Sequence, residues 1–231
     1  MEELKKGLAA FGITPTEEAC EAFSAYEKLL LEWNEKMNLT AITAHDEVVN
    51  KHFVDSISCQ SMIPEGAALL DIGTGAGFPG VPLRIVRPDL RVTLMDSLLK
   101  RLSFLDVVIE ELALSGAETV HMRAEDAGHS PHREKYDVVC ARAVANLPVL
   151  CEYCLPLVKC GGVFLALKGQ GGREEAEAAG KAIQILGGEI REIRDVSWQD
   201  MSHVVIAIEK KRQTPKAYPR KTGKPQKSPI S

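Results

Sequence analysis

The chain has 231 residues, 45% of them hydrophobic, six cysteines and a formal net charge of −4 at pH 7, which suits one sizeable α/β domain with a helical appendage. No apolar run approaches the roughly 18 residues that span a bilayer, and Met1-Glu2-Glu3-Leu4-Lys5-Lys6 lacks a signal-peptide core, so a cytoplasmic protein with reduced thiols is expected. A metal centre is not expected, because Cys151-Glu152-Tyr153-Cys154 falls inside an apolar helical segment and has no supporting second pair.

Residues 1–64 read as a helical element. Thr16-Glu17-Glu18 opens a segment in which Ala19, Phe23, Tyr26, Leu29, Leu30 and Trp33 recur at helical spacing behind a plausible cap. A second helix is expected over 47–58; there His52 and Asp55 face one way, which favours a structural hydrogen bond and leaves a substrate-side contact as the alternative. Over 65–210 strands and helices alternate. Strands are expected over 67–71, 91–96, 118–123, 136–141 and 162–168, and helices over 79–87, 98–114, 146–158 and 173–186, a pattern that predicts a parallel sheet covered on both faces. Runs over 189–196 and 203–209 read as an antiparallel hairpin. Beyond position 209 come eight basic side chains and no acid. Such a basic tail, 211–231, on an acidic body points to a polyanionic partner, and Tyr218 within it is able to stack on a base. A solvated terminus is the plainer alternative.

The most informative stretch is Leu69-Leu70-Asp71-Ile72-Gly73-Thr74-Gly75-Ala76-Gly77-Phe78-Pro79-Gly80. Its glycines let the backbone press against a ligand, and the helix start that follows offers N–H groups to an anion. Asp96 closes the next strand, where an acid is placed to accept both hydroxyls of a ribose; its alternative role is a helix cap. An adenosine-containing cofactor is expected. Gly75 to Gly80 also fits the dinucleotide pattern G-x-G-x-x-G, which alone is a weak signal. Asp71 ahead of Gly73, Gly75 and Gly77, the lack of a second mononucleotide-binding half after Tyr136, and the terminal hairpin favour S-adenosylmethionine instead. The fold class expected is α/β: a class I S-adenosylmethionine-dependent methyltransferase, Rossmann-like, with a mostly parallel seven-stranded sheet, a terminal antiparallel hairpin and an N-terminal helical element. The glycine turn would hold the methionine end and Asp96 the ribose. Arg123-Ala124-Glu125-Asp126 is placed to meet the adenine, although Glu125 and Asp126 read equally well as a solvated helix start.

Methyl transfer from a sulfonium is an in-line displacement that gains much from positioning alone. No Asp/Asn-Pro-Pro-aromatic sequence follows the fourth strand, and Cys140 lies inside an apolar strand rather than on an exposed Pro-Cys loop. An acceptor with its own lone pair, such as guanine N7, needs no general base, and no catalytic acid or base is named. Arg142, at the end of the fourth strand, is expected to contact the cofactor or a target phosphate rather than form a surface ion pair. Lys168 is a weaker candidate for substrate phosphate, and Arg220 and Lys221 are the tail's candidates for RNA.

Several linked motifs in order resemble one family, the bacterial 16S ribosomal RNA guanine-N7 methyltransferases (glucose-inhibited division protein B). They are Trp33-Asn34-Glu35-Lys36-Met37-Asn38-Leu39-Thr40, His52 with Asp55-Ser56, Asp71 to Gly80, Asp96-Ser97-Leu98-Leu99-Lys100-Arg101, Arg123-Ala124-Glu125, Ala141-Arg142-Ala143, Ala166-Leu167-Lys168-Gly169 and the tail from Thr214 to Ile230. The resemblance implies methylation of one guanine N7 in the decoding-region loop of 16S ribosomal RNA, with S-adenosylmethionine as donor. It also implies that Gly73, Phe78, Ala124, Glu125 and Arg142 line the cofactor pocket. The expected partner is 16S ribosomal RNA or the 30S particle, and a monomer is expected.

Overall fold

The computed structural model describes residues 1–230. Helices α1 (Glu2–Ala10) and α2 (Glu17–Asn34) lead the chain. The Thr16 hydroxyl accepts from the Ala19 N–H at 3.2 Å, and Glu17 and Glu18 sit at the positive end of the α2 dipole. The expected stripe is the buried one: Phe23, Tyr26 and Leu30 all face inward. The second helix differs from expectation. It runs as α3 (His45–Val48), a π-helical stretch Val49–Val54, and α4 (Asp55–Ile57). This stretch buries His52, Phe53 and Val54 in succession.

The sheet has seven strands in the order β3-β2-β1-β4-β5-β7-β6. These are β1 (Ala68–Ile72), β2 (Arg91–Asp96), β3 (Ala117–His121), β4 (Tyr136–Arg142), β5 (Val158–Lys168), β6 (Gly188–Trp198) and β7 (Met201–Lys210). All neighbours pair in parallel except β5 with β7 and β7 with β6, so the closing hairpin stands where the sequence put it. Successive strand residues feed opposite faces: Leu69, Val138 and Val205 join one core with Phe23, Phe53 and Phe104, while Leu70, Val139 and Ile206 join the other. Helices α5 (Gly80–Val86), α6 (Leu99–Glu111) and the short α7 (Ala124–Ala127) follow the first three strands.

Two expected helices are shorter than their sequence patterns. The one expected over 146–158 stops as α8 (Leu147–Cys154), because Pro156 in the following 3-10 turn has no N–H to continue it, and β5 then starts at Val158. The one expected over 173–186 is divided at Ala179 into α9 (Gly172–Ala178) and α10 (Gly180–Ile185). The tail is folded onto the body, with Thr214, Pro219, Pro225 and Ile230 buried and a final turn α11 (Lys224–Lys227).

Candidate functional site

A cavity of about 380 Å³ opens at the C-terminal ends of β1, β2, β3 and β4, beside the β1/β4 junction where the strand order changes direction and open α/β sheets take their ligands. Gly73, Asp96, Ala124 and Glu125 line it, together with Arg101 and Arg123. Gly73 adopts φ 64°, and an added Cβ would stand 2.7 Å from Val144 Cγ2, so bare backbone is what lets Val144 lie against this turn. Asp96 is buried. Its Oδ2 accepts from the Gly75 N–H at 3.0 Å and its Oδ1 from the Leu98 N–H at 2.9 Å, with the Arg101 guanidinium 3.3 Å away. Asp96 therefore shapes the turn that leads to Leu98 and lines the cavity, while α6 itself starts without a side-chain cap. An adenosyl sulfonium fits these residues: two buried carboxylates for hydroxyl and amino donors, bare backbone at the strand end, and Met122 and Tyr153 as apolar surface.

Asp71, Gly75, Gly77, Phe78 and Arg142 stand behind the cavity wall rather than on it. Asp71 is fully buried and shapes the turn, its Oδ2 accepting from the Thr74 hydroxyl at 2.7 Å and the Gly80 N–H at 2.9 Å. Burial pushes its carboxyl up to about 6 against those two hydrogen bonds. A Cβ at Gly77, φ 102°, would meet the Tyr26 hydroxyl at 2.7 Å. That hydroxyl donates to the Ala76 carbonyl at 2.5 Å, so α2 grips the glycine turn from behind. Phe78 packs against the His52 ring at 4.4 Å and under the Arg142 guanidinium at 4.9 Å.

Arg142 faces a second cavity, of about 290 Å³, which it lines with Asp55, Lys168, Glu175 and His203. Ala143 belongs to both cavities. The guanidinium pairs with Asp55 Oδ2 at 2.7 Å and also donates to the Lys51 carbonyl at 3.1 Å. The motif 33–40 serves this corner: Asn34 Oδ1 accepts from Leu39 and Thr40, which bends the loop and brings the Thr40 hydroxyl 2.8 Å from His52 Nε2. Burial, helped by Arg142, holds His52 down at about 4, so the ring is neutral at ordinary pH. Lys168 Nζ lies 2.8 Å from Glu175 and donates to the Ala145 carbonyl at 2.9 Å. Cys140 is fully buried and its thiol is pushed well above the usual range by that burial, which rules it out as a ready nucleophile.

The tail corrects the sequence reading most. Thr222, Gly223 and Gln226 form one wall of the first cavity, and the Gly223 N–H donates to Glu125 Oε1 at 3.0 Å. Arg220, expected to meet RNA, is committed to the wholly buried Glu152, its guanidinium donating three hydrogen bonds of 2.9, 3.1 and 2.6 Å to the carboxylate. Tyr218 packs against the second core instead of standing free to stack. Lys221 is exposed. No sequence signal marked the tail as cavity wall, because its anchors are single polar pairs far apart along the chain. His203, too, was visible only as the start of a strand.

All six cysteines are free thiols. Among the described residues no group of three or more His, Cys, Asp or Glu is placed to hold a metal, and no helix is long and apolar enough to cross a membrane.

Known proteins align with this architecture. The model of the family described as rRNA small subunit methyltransferase G matches residues 19–204. The chain is 53% identical over 232 residues to the Ribosomal RNA small subunit methyltransferase G of Acetivibrio thermocellus, covering 99% of this chain and 96% of that one. It is 48% identical to the protein of the same name from Alkaliphilus metalliredigens, covering 98% and 97%. Similar solved folds include a 16S rRNA (adenine(1408)-N(1))-methyltransferase from Catenulisporales acidiphilia with its cosubstrate SAM, at TM-score 0.53 and 14% identity over 70% of this chain and 92% of that one. Another is the precorrin-6y C5,15-methyltransferase of Geobacter metallireducens, at TM-score 0.51 and 14% identity over 68% and 87%. At such identities the solved structures speak to the fold alone.

Proposed function

The chain belongs to the rRNA small subunit methyltransferase G family, and from that membership we propose that it methylates N7 of one guanine in 16S ribosomal RNA, using S-adenosylmethionine bound in the first cavity. The single observation that carries the cofactor assignment is the meeting of Gly73, Asp96 and Glu125 around one space at the strand ends. The bound donor supplies an electrophilic methyl group on sulfur. Gly73 lets the backbone approach the methionine end, Asp96 accepts from the ribose hydroxyls, and Ala124 with Glu125 meets the adenine. Asp71, Gly75 and Gly77 hold the turn in shape, while Phe78 and Arg142 brace it from the other side.

Guanine N7 carries its own lone pair, so the side chains need to orient the acceptor rather than remove a proton, and no residue is given a catalytic acid or base role. Arg101 and Arg123 at the cavity, with exposed Lys100 beside Arg101 and exposed Lys221 beside the cavity residue Thr222 in sequence, suit phosphate contacts and make binding salt-sensitive. Lys168 contributes its charge from the second cavity. The same reading has the protein act as a monomer in the cytoplasm, without a metal, on 16S RNA or the 30S particle. Incubation with labelled S-adenosylmethionine and undermethylated 16S RNA or 30S particles tests it. Label should appear as 7-methylguanine at one site; label elsewhere, or none, overturns the substrate assignment.

A further inference from the structure

The second cavity contains an unfilled arrangement of acceptors. The Ser58 hydroxyl donates to the Asp55 carbonyl at 2.6 Å, so at 3.3 Å from His203 Nε2 it can only accept the ring's proton there. That leaves His203 Nδ1 bare. The ring is buried, Nδ1 has no hydrogen-bond partner, and it lies 3.0 Å from Asp55 Oδ1, out of line for a bond. Burial keeps the imidazole below its ordinary pKa and therefore neutral, with Asp55 opposing and Arg142 reinforcing the shift. Asp55 Oδ2 is taken by Arg142, while Oδ1 stands next to Nδ1, and both side chains line the cavity. Two acceptors side by side with no donor between them are costly unless a ligand brings donors. Beside them lie the cations Arg142 and Lys168.

Among the four RNA bases only guanine presents two adjacent donors, N1–H and the N2 amino group, on its Watson–Crick edge, with the acceptor O6 next to them. Adenine and cytosine place a ring acceptor beside one amino donor, and uracil offers a single N–H between two carbonyls. Splayed-out RNA bases are commonly read on this edge. We propose that the second cavity receives the acceptor guanine by its Watson–Crick edge, with Asp55 Oδ1 and His203 Nδ1 accepting its N1–H and N2–H and the cations facing O6. The edge bearing N7 is then left for the first cavity, across Ala143. This rests on the functional reading above and deepens it by naming what selects guanine. A phosphate in the same space would be drawn by Arg142 and Lys168 but would face the carboxylates of Asp55 and Glu175.

The test replaces the target guanosine by inosine, which lacks the N2 amino group, or by 2-aminopurine, which lacks N1–H and O6, through a synthetic segment ligated into 16S RNA and assembled into particles. Wild-type kcat/KM should fall about tenfold to a hundredfold for inosine and at least as far for 2-aminopurine, the usual loss when a buried polar group is left without its partner. The variants His203→Ala and Asp55→Asn should both methylate guanosine more slowly, and His203→Ala, which removes the acceptor for N2–H, should handle inosine no worse than guanosine and bind S-adenosylmethionine with unchanged affinity by calorimetry. Inosine methylated as fast as guanosine by the wild type, or a His203→Ala variant that keeps the wild-type ratio, overturns the proposal, as does competition by inorganic phosphate that His203→Ala leaves intact. The base series needs no change in the protein, so it decides the matter even if a variant misfolds. Failure of the wild type to label guanosine itself would instead remove the functional reading, and is recognised before any base is exchanged.

Discussion

The N-terminal helical run and the C-terminal segment both close over the strand ends, but they are held by different forces. On the first side Phe53 packs against Phe23 and Tyr26 at centroid distances of 4.9 and 5.4 Å, and Phe78 and Phe104 extend the cluster. Many apolar contacts share that load. On the second side the chain is fixed by a few polar anchors. Arg133 donates to the carbonyls of Thr214 and Tyr218, Arg220 neutralises Glu152, and Lys210, buried to 0% exposure, donates to the carbonyls of Leu155 and Val158. A wall of shared contacts loses stability gradually as residues change. A wall of isolated anchors is released when one of them goes.

The largest effect should come from Arg220→Ala. It leaves the buried Glu152 carboxylate without its counter-charge, so the urea-denaturation free energy should fall by about 3 kcal/mol and the tail should become open to proteolysis. Replacing both partners by methionine should restore most of that loss, because the buried charge leaves with its partner. If Arg220→Ala cost no more than a surface change, the contrast between the walls would collapse.

The aromatic wall should respond to pH instead. His52 has a folded pKa near 4 against an ordinary 6.5, so between these values the unfolded chain binds a proton that the folded chain refuses. Its contribution to stability is complete above pH 6.5 and is lost as pH falls toward 4, on the order of 3 kcal/mol. Asp71, raised to about 6 from 3.8, acts in the opposite sense: its contribution is complete below pH 3.8 and is lost as pH rises through 6. Urea titrations across this range should therefore show His52→Gln removing the acid-side loss while Asp71's opposing slope persists. The smallest effect is expected from Gln226→Ala. This exposed residue lines the first cavity, and S-adenosylmethionine affinity by calorimetry should weaken about threefold with stability unchanged.

The same contrast explains what could be read from the chain beforehand. The stripe from Phe23 to Trp33 and the alternation of strands from Ala68 onward repeat with a period, and period is what burial imprints on a sequence. Asp71, the glycines and Asp96 were legible because a turn at a strand end demands those residue types. The π winding at 49–54 left no such imprint, since one altered turn barely shifts the pattern. Nor did the pairing of Arg220 with Glu152, which are separated by 68 positions, or the bare nitrogen of His203. Because Thr222, Gly223 and Gln226 line the first cavity, deleting the basic tail would disturb that cavity as well as any contact with RNA.

Ala143 holds φ 55°, a left-handed geometry that costs a non-glycine residue roughly 1–2 kcal/mol. Ala143 borders both cavities, so a donor and an acceptor placed as proposed would meet beside this one methyl-bearing residue. In-line transfer needs the acceptor nitrogen in direct contact with the donated methyl, so Ala143 has to flank the line between them rather than stand in it.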